Sequence, residues 1–132
     1  MIRKYTYGNP FCTDAVVKDM AAETQTLPYL QKAEQDGRLI FSCSLGEKDL
    51  VYGLGENVRG INKRGWLYRS CCADEPNHLE DRHSLYASHN FLVIAGETTF
   101  GVFFDYPGII SFDVGYTHMD ELVEFVRSRH CD

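Results

Sequence analysis

The sequence predicts an all-β fold, an antiparallel β-sandwich, and three observations carry that expectation. Aromatic residues make up 13% of the 132 residues, mostly as eight Tyr and eight Phe, and such side chains suit pleated, half-buried surfaces. Short runs of β-formers recur along the chain with turn signals between them, as in a sandwich. One hairpin is marked outright: Gly96-Glu97 separates Phe91-Leu92-Val93-Ile94-Ala95 from the run Thr98 to Asp105, and Gly-X between β-rich runs is the signature of a two-residue type II′ turn.

Taken in order, residues 1–38 carry the fewest signals. Gly8-Asn9-Pro10 and Leu27-Pro28-Tyr29 read as turn or extended segments, and Ala15-Val16-Val17 between them starts a short strand. From Arg38 the pattern sharpens. Leu39 to Ser44 is β-like, Gly46-Glu47-Lys48-Asp49 is a turn, and Leu50 to Leu54 is a second run, so the spacing predicts a hairpin. Residues 51–81 then gather glycines, the single Trp, many charges and the adjacent Cys71-Cys72, a composition suited to a surface loop system on a rigid scaffold. After the Gly96 hairpin, Tyr106-Pro107-Gly108 makes a turn and Ile109 to Val114 alternates as a strand. The C-terminus departs from this rhythm. Met119, Leu122, Val123 and Val126 fall at helical spacing, with Asp120 and Glu121 in the first turn and Arg127, Arg129 and His130 in the last. This predicts a short C-terminal helix over 120–128.

At 132 residues the chain fits a single domain, 1–132, able to bury its own core. Its net charge of −6 argues against non-specific binding to nucleic acid or anionic membranes, which needs clustered positive charge. No apolar run approaches the roughly 20 residues that span a bilayer. The segment Met1 to Tyr5 lacks the apolar core of a signal peptide. Five cysteines without a framework spacing point to reduced thiols, and so to a cytoplasmic protein.

Most candidate chemistry fails on spacing. Gly55 to Gly60 has the GxxxxG separation of a phosphate loop, but Ile61 stands where that loop needs Lys. A dinucleotide fingerprint fails at Val58, so these glycines are read as turn-makers. Cys71, Cys72, His78, His83 and His89 lack a chelating pair: adjacent strand cysteines point to opposite faces, which predicts one buried and one half-exposed thiol and no metal site. A Cys–His nucleophile lacks a third, orienting group. Paired carboxylates occur at Asp74-Glu75 and Glu80-Asp81, yet glycoside cleavage needs two carboxyls roughly 5 to 9 Å apart across one bond, which sequence neighbours rarely provide. Glu80-Asp81 reads as solvated loop. Asp74 reads equally as a turn-former before Pro76 or as a ligand contact.

As a whole the stretch is more specific. Val51-Tyr52-Gly53-Leu54-Gly55-Glu56, Asn62-Lys63-Arg64-Gly65, Tyr68, Asp74 and Pro76 resemble the signature of family-31 glycoside hydrolases. The resemblance continues through Ser84-Leu85-Tyr86, Phe91 and Thr99 to Asp105, and ends at Phe112-Asp113-Val114-Gly115. Within that family the spacing is closest to bacterial α-glucosidases. Residues 1–50 carry no diagnostic motif.

The resemblance implies an N-terminal sandwich of the galactose-mutarotase-like type, packed beside a (β/α)₈ barrel. That barrel carries the aspartate nucleophile and the aspartate acid/base, takes about 250 residues, and is expected to lie outside this chain. It also implies a loop that reaches over the barrel's active site, in which an Asp before a Pro-containing turn contacts the sugar. Asp74 matches that Asp, with Glu75 adjacent as a second substrate-binding candidate, while Asn62 to Gly65 is expected to be scaffold. The implied ligand is an α-glucoside or other small carbohydrate, with no cofactor and no metal. Beyond Leu122 the resemblance fades into polar residues where the family continues in strands, and an uncovered edge or apolar face there favours self-association into a homo-oligomer. The alternative from the sequence is a free-standing carbohydrate-binding or oligomerisation module; a mutarotase-like epimerase rests on fold analogy alone.

Overall fold

The computed structural model describes residues 1–10 and 21–127, with side chains described as far as Glu124. The backbone divides into two compact units, Met1–Gln31 and Lys32–Asp132. In the first unit, β1 (Arg3–Lys4) pairs in parallel with β2 (Ala22–Glu23). The predicted strand at Ala15-Val16-Val17 lies outside the described residues.

The second unit holds two sheets. The larger has the order β3 (Gln31–Gln35), β4 (Arg38–Ser44), β10 (Glu121–Arg127), β9 (Ile110–Val114), β6 (Trp66–Ser70). The smaller has the order β5 (Leu50–Gly53), β7 (Phe91–Ala95), β8 (Phe100–Phe103). All register pairs of β4, β6, β9 and β10, and those within the smaller sheet, are antiparallel. The fold is all-β, an antiparallel sandwich.

Alternation along the strands builds the core. On the larger sheet Phe41, Cys43, Tyr68, Ile110, Phe112, Val114 and Leu122 turn inward and are buried. On the smaller sheet Val51, Leu92 and Ile94 do the same. Phe104, just past β8, joins the layers: its ring lies 5.4 Å from that of Phe41 and 6.1 Å from that of Phe112.

Four sequence expectations change here. The predicted C-terminal helix is absent, because residues 121–127 form β10, zipped between β4 and β9 over their whole length. Val123, Phe125 and Val126 are strand-formers, and two open strand edges supply hydrogen bonds that an isolated helix could not match. The runs at 39–44 and 50–54 are both strands but no hairpin, since β4 pairs with β10 and β5 with β7. The hairpin of β7 and β8 forms, but its register, Ile94 opposite Phe100, sets Glu97 at the apex of a wider loop instead of a two-residue turn. Gly96 serves closeness rather than turn geometry: a Cβ there would sit 1.8 Å from Asp49 Oδ1. Lastly, Cys71 and Cys72 follow β6 rather than lying in a strand, so neither is buried; Cys71 is half-buried and Cys72 exposed.

Candidate substrate-contacting loop

Residues 71–90 connect β6 to β7, and the preceding residues 54–65 brace them. Gly53 (φ 119°) and Gly55 (φ 75°) hold left-handed backbone where added Cβ atoms would meet Phe91 O at 2.3 Å and Ala87 O at 2.7 Å. That closeness lets Leu54 N–H donate to Phe91 O (3.0 Å) and Glu56 N–H to Ala87 O (2.7 Å). Glu56 Oε2 accepts from Ala87 N–H at 3.2 Å in return. The glycines are turn-makers, as the sequence indicates.

Asn62 to Gly65 is scaffold throughout. Asn62 Oδ1 accepts from Val51 N–H (3.1 Å) and Arg64 N–H (3.3 Å). Lys63 is buried, and its ammonium donates to Asn57 Oδ1 (3.0 Å) and Gly60 O (2.9 Å). Burial pulls that ammonium below its ordinary range. Arg64 donates through Nη1 to Gly46 O (2.6 Å) and Asp49 O (2.8 Å), and through Nη2 to Met119 O (2.6 Å). Arg59 completes the brace. Its guanidinium stacks 3.6 Å over the Trp66 ring while Nε donates to Glu80 O at 2.8 Å.

The loop itself is pinned at intervals. Arg69 N–H donates to His83 O (3.3 Å) and Ala73 N–H to Leu85 O (3.0 Å). Leu85, within the loop, is buried and anchors it. Cys72 Sγ and Ser88 Oγ share a hydrogen bond at 3.3 Å, which holds the exposed thiol below its ordinary range. His78 and Tyr86 meet edge to face, their rings 5.5 Å apart.

The two predicted contact residues are adjacent yet differ in circumstance. Glu75 is half-buried and spent on the loop: Oε1 accepts from Asn77 N–H (3.0 Å) and Oε2 faces Arg82 Nε (3.3 Å). Asp74 is exposed, and its carboxylate has no hydrogen bond or ion pair with any described residue. It lies between Ala73, tied through its N–H, and Glu75, tied through its side chain, so the backbone is fixed while the carboxylate is free. Glu80 and Asp81 are exposed, as their reading as solvated loop requires. Among the described residues no three His, Cys, Asp or Glu side chains gather as metal ligands. The Arg59 clasp was missed in the sequence, because Arg59 and the lone Trp lie seven residues apart with irregular backbone between them and no periodicity pairs them.

The backbone matches part of the cycloalternan-degrading enzyme of Trueperella pyogenes, solved with isomaltose, at a TM-score of 0.63 and 21% identity, covering 68% of this chain and 13% of that one. It matches a family-31 dextranase of Flavobacterium johnsoniae, solved with isomaltotriose, at a TM-score of 0.62 and 23% identity, covering 72% of this chain and 12% of that one. This chain thus spans a small fraction of the length of the enzymes it resembles. No match was found among curated protein sequences. Residues 6–113 match the glycosyl hydrolase 31 N-terminal galactose mutarotase-like domain, and the chain belongs to that family.

Proposed function

We propose that this domain supplies a substrate-contacting loop to an α-glucoside-cleaving enzyme, whose chemistry is performed by a (β/α)₈ barrel beyond the matched stretch. The observation that carries this reading is the free Asp74 carboxylate held between two pinned neighbours. An ionised carboxylate accepts two hydroxyl hydrogen bonds at once, and adjacent hydroxyls of a pyranose present two donors. A fixed backbone means little ordering cost when the sugar arrives. Glu75, with both oxygens engaged, contributes chiefly by holding Asp74 in place. Family membership supports the reading, as do the solved complexes of structural neighbours with isomaltose, isomaltotriose and glucose.

The test is kinetic. In the complete enzyme carrying this domain, Asp74→Ala lowers kcat/KM for an α-glucoside by roughly 10- to 100-fold, the loss of a hydrogen-bonding charged group worth about 1.5–3 kcal/mol. Its melting temperature stays unchanged, since Asp74 holds nothing in the fold. An unaltered kcat/KM overturns the assignment.

A further inference from the structure

The outward face of the larger sheet holds a cleft whose lining does not include Asp74. It encloses about 490 Å³ and is lined by Arg38, Leu67, Arg69, His83, Ser111 and Asp113, among others. Strand alternation accounts for the set. Phe41, Tyr68 and Phe112 face the core, so Arg38, Arg69 and Ser111 face away from it. Arg69 stands opposite Ser111 in register, and the backbone of Arg127 stands opposite Arg38.

The charges in this cleft are unbalanced. Neither the Arg38 nor the Arg69 guanidinium has a hydrogen bond or ion pair with any described residue, in a chain whose net charge is −6. Asp113 is the one acid among the described lining residues, and it is already spent. Its Oδ1 accepts from Tyr116 N–H (2.9 Å) and Thr117 N–H (3.1 Å), and its Oδ2 from the Thr117 hydroxyl. His83 is fixed at the rim: Nδ1–H donates to Leu67 O at 3.0 Å, since a carbonyl can only accept. Among the described residues, the cleft therefore presents two unpaired guanidinium forks and a hydroxyl, with no free carboxylate to compete for them.

We propose that this cleft binds a phosphate oxyanion, free or carried on a small ester, between Arg38 and Arg69. Planar guanidinium forks match phosphate oxygens bidentately, which a point charge does not. The volume suits a ligand larger than the ion itself. The inference does not depend on the role of Asp74.

Titration followed by amide NMR shifts, at low ionic strength, tests it with inorganic phosphate, glucose 6-phosphate and glucose as separate probes. Phosphate-bearing probes are expected to shift the amides of 67–69, 83 and 109–113, and glucose is not. Tighter binding of glucose 6-phosphate than of inorganic phosphate identifies the ester as the source; equal binding identifies the free ion. Arg69→Ala or Arg38→Ala weakens binding at least 10-fold, and Asp74→Ala leaves it unchanged. Absence of shifts with either phosphate probe, or shifts that persist in the Arg38→Ala/Arg69→Ala double variant, overturns the site.

Discussion

Arg64 shows how one residue can carry a junction. Its guanidinium reaches carbonyls at Gly46, Asp49 and Met119, so it joins the β4–β5 connection to the β9–β10 connection. Those carbonyls lie in loops with no ladder to satisfy them, and the Arg donors substitute for strand partners. Arg64→Ala is expected to destabilise the chain by about 2–3 kcal/mol, seen as a lower denaturation midpoint with an unchanged m-value. Arg64→Lys restores less than half, because one ammonium cannot span three acceptors set around a planar fork. Asp74 is the opposite kind of residue, free of the fold and available to a ligand. The motif containing Arg64 was expected to be scaffold only through the family resemblance, since nothing local in Asn62-Lys63-Arg64-Gly65 marks the carbonyls it reaches.

Strand β10 is where sequence and structure part, and the physical reason lies in Glu124. In the helical reading Glu124 sits on a polar face. In the strand it is fully buried, opposite Phe41 on β4 and Phe112 on β9, with both carboxylate oxygens unpartnered. A residue so costly to bury gives no local hint of its burial; only the vacant edges of β4 and β9 require it. By contrast β7, β8 and β9 were legible, since β-rich runs bounded by turn signals, and for β9 an apolar alternation, are local features. The β3–β4 hairpin was not read from the sequence: Asp36-Gly37, with φ values of 52° and 68°, makes its type I′ turn, but the wholly exposed β3 offers no apolar period to draw attention. Burial drives the Glu124 pKa well above its unfolded 4.5. The folded state therefore binds the extra proton, so this stabilising contribution is complete below pH 4.5 and is lost as pH rises toward the folded value. Glu124→Leu is expected to raise stability at pH 8 by about 1–3 kcal/mol and to flatten its fall between pH 5 and 8, measured by thermal denaturation across that range. An equal gain at pH 4 and pH 8 would count against the buried-carboxyl explanation. Neighbouring Cys43, its thiol pushed up to about 12 by burial first and by the Glu124 charge second, stays protonated throughout.

At the scale of the whole molecule, the two sheets differ in what they show outside. The larger sheet turns Arg38, Arg69 and Ser111 outward, whereas the smaller turns Leu50, Phe91 and Phe103 outward at 40%, 43% and 64% exposure. Residues 6–113 match an N-terminal domain family, and the chain's structural neighbours are several times its length. On the proposed reading Asp74 holds the sugar, and the two carboxyls that glycoside cleavage needs across one bond belong to the barrel. The most direct measurement is glucose release by the purified 132-residue chain from isomaltose and from 4-nitrophenyl α-glucoside. Release indistinguishable from buffer is the expected result; sustained turnover proportional to the concentration of this chain would contradict a domain that lends a loop and leaves the chemistry to a barrel.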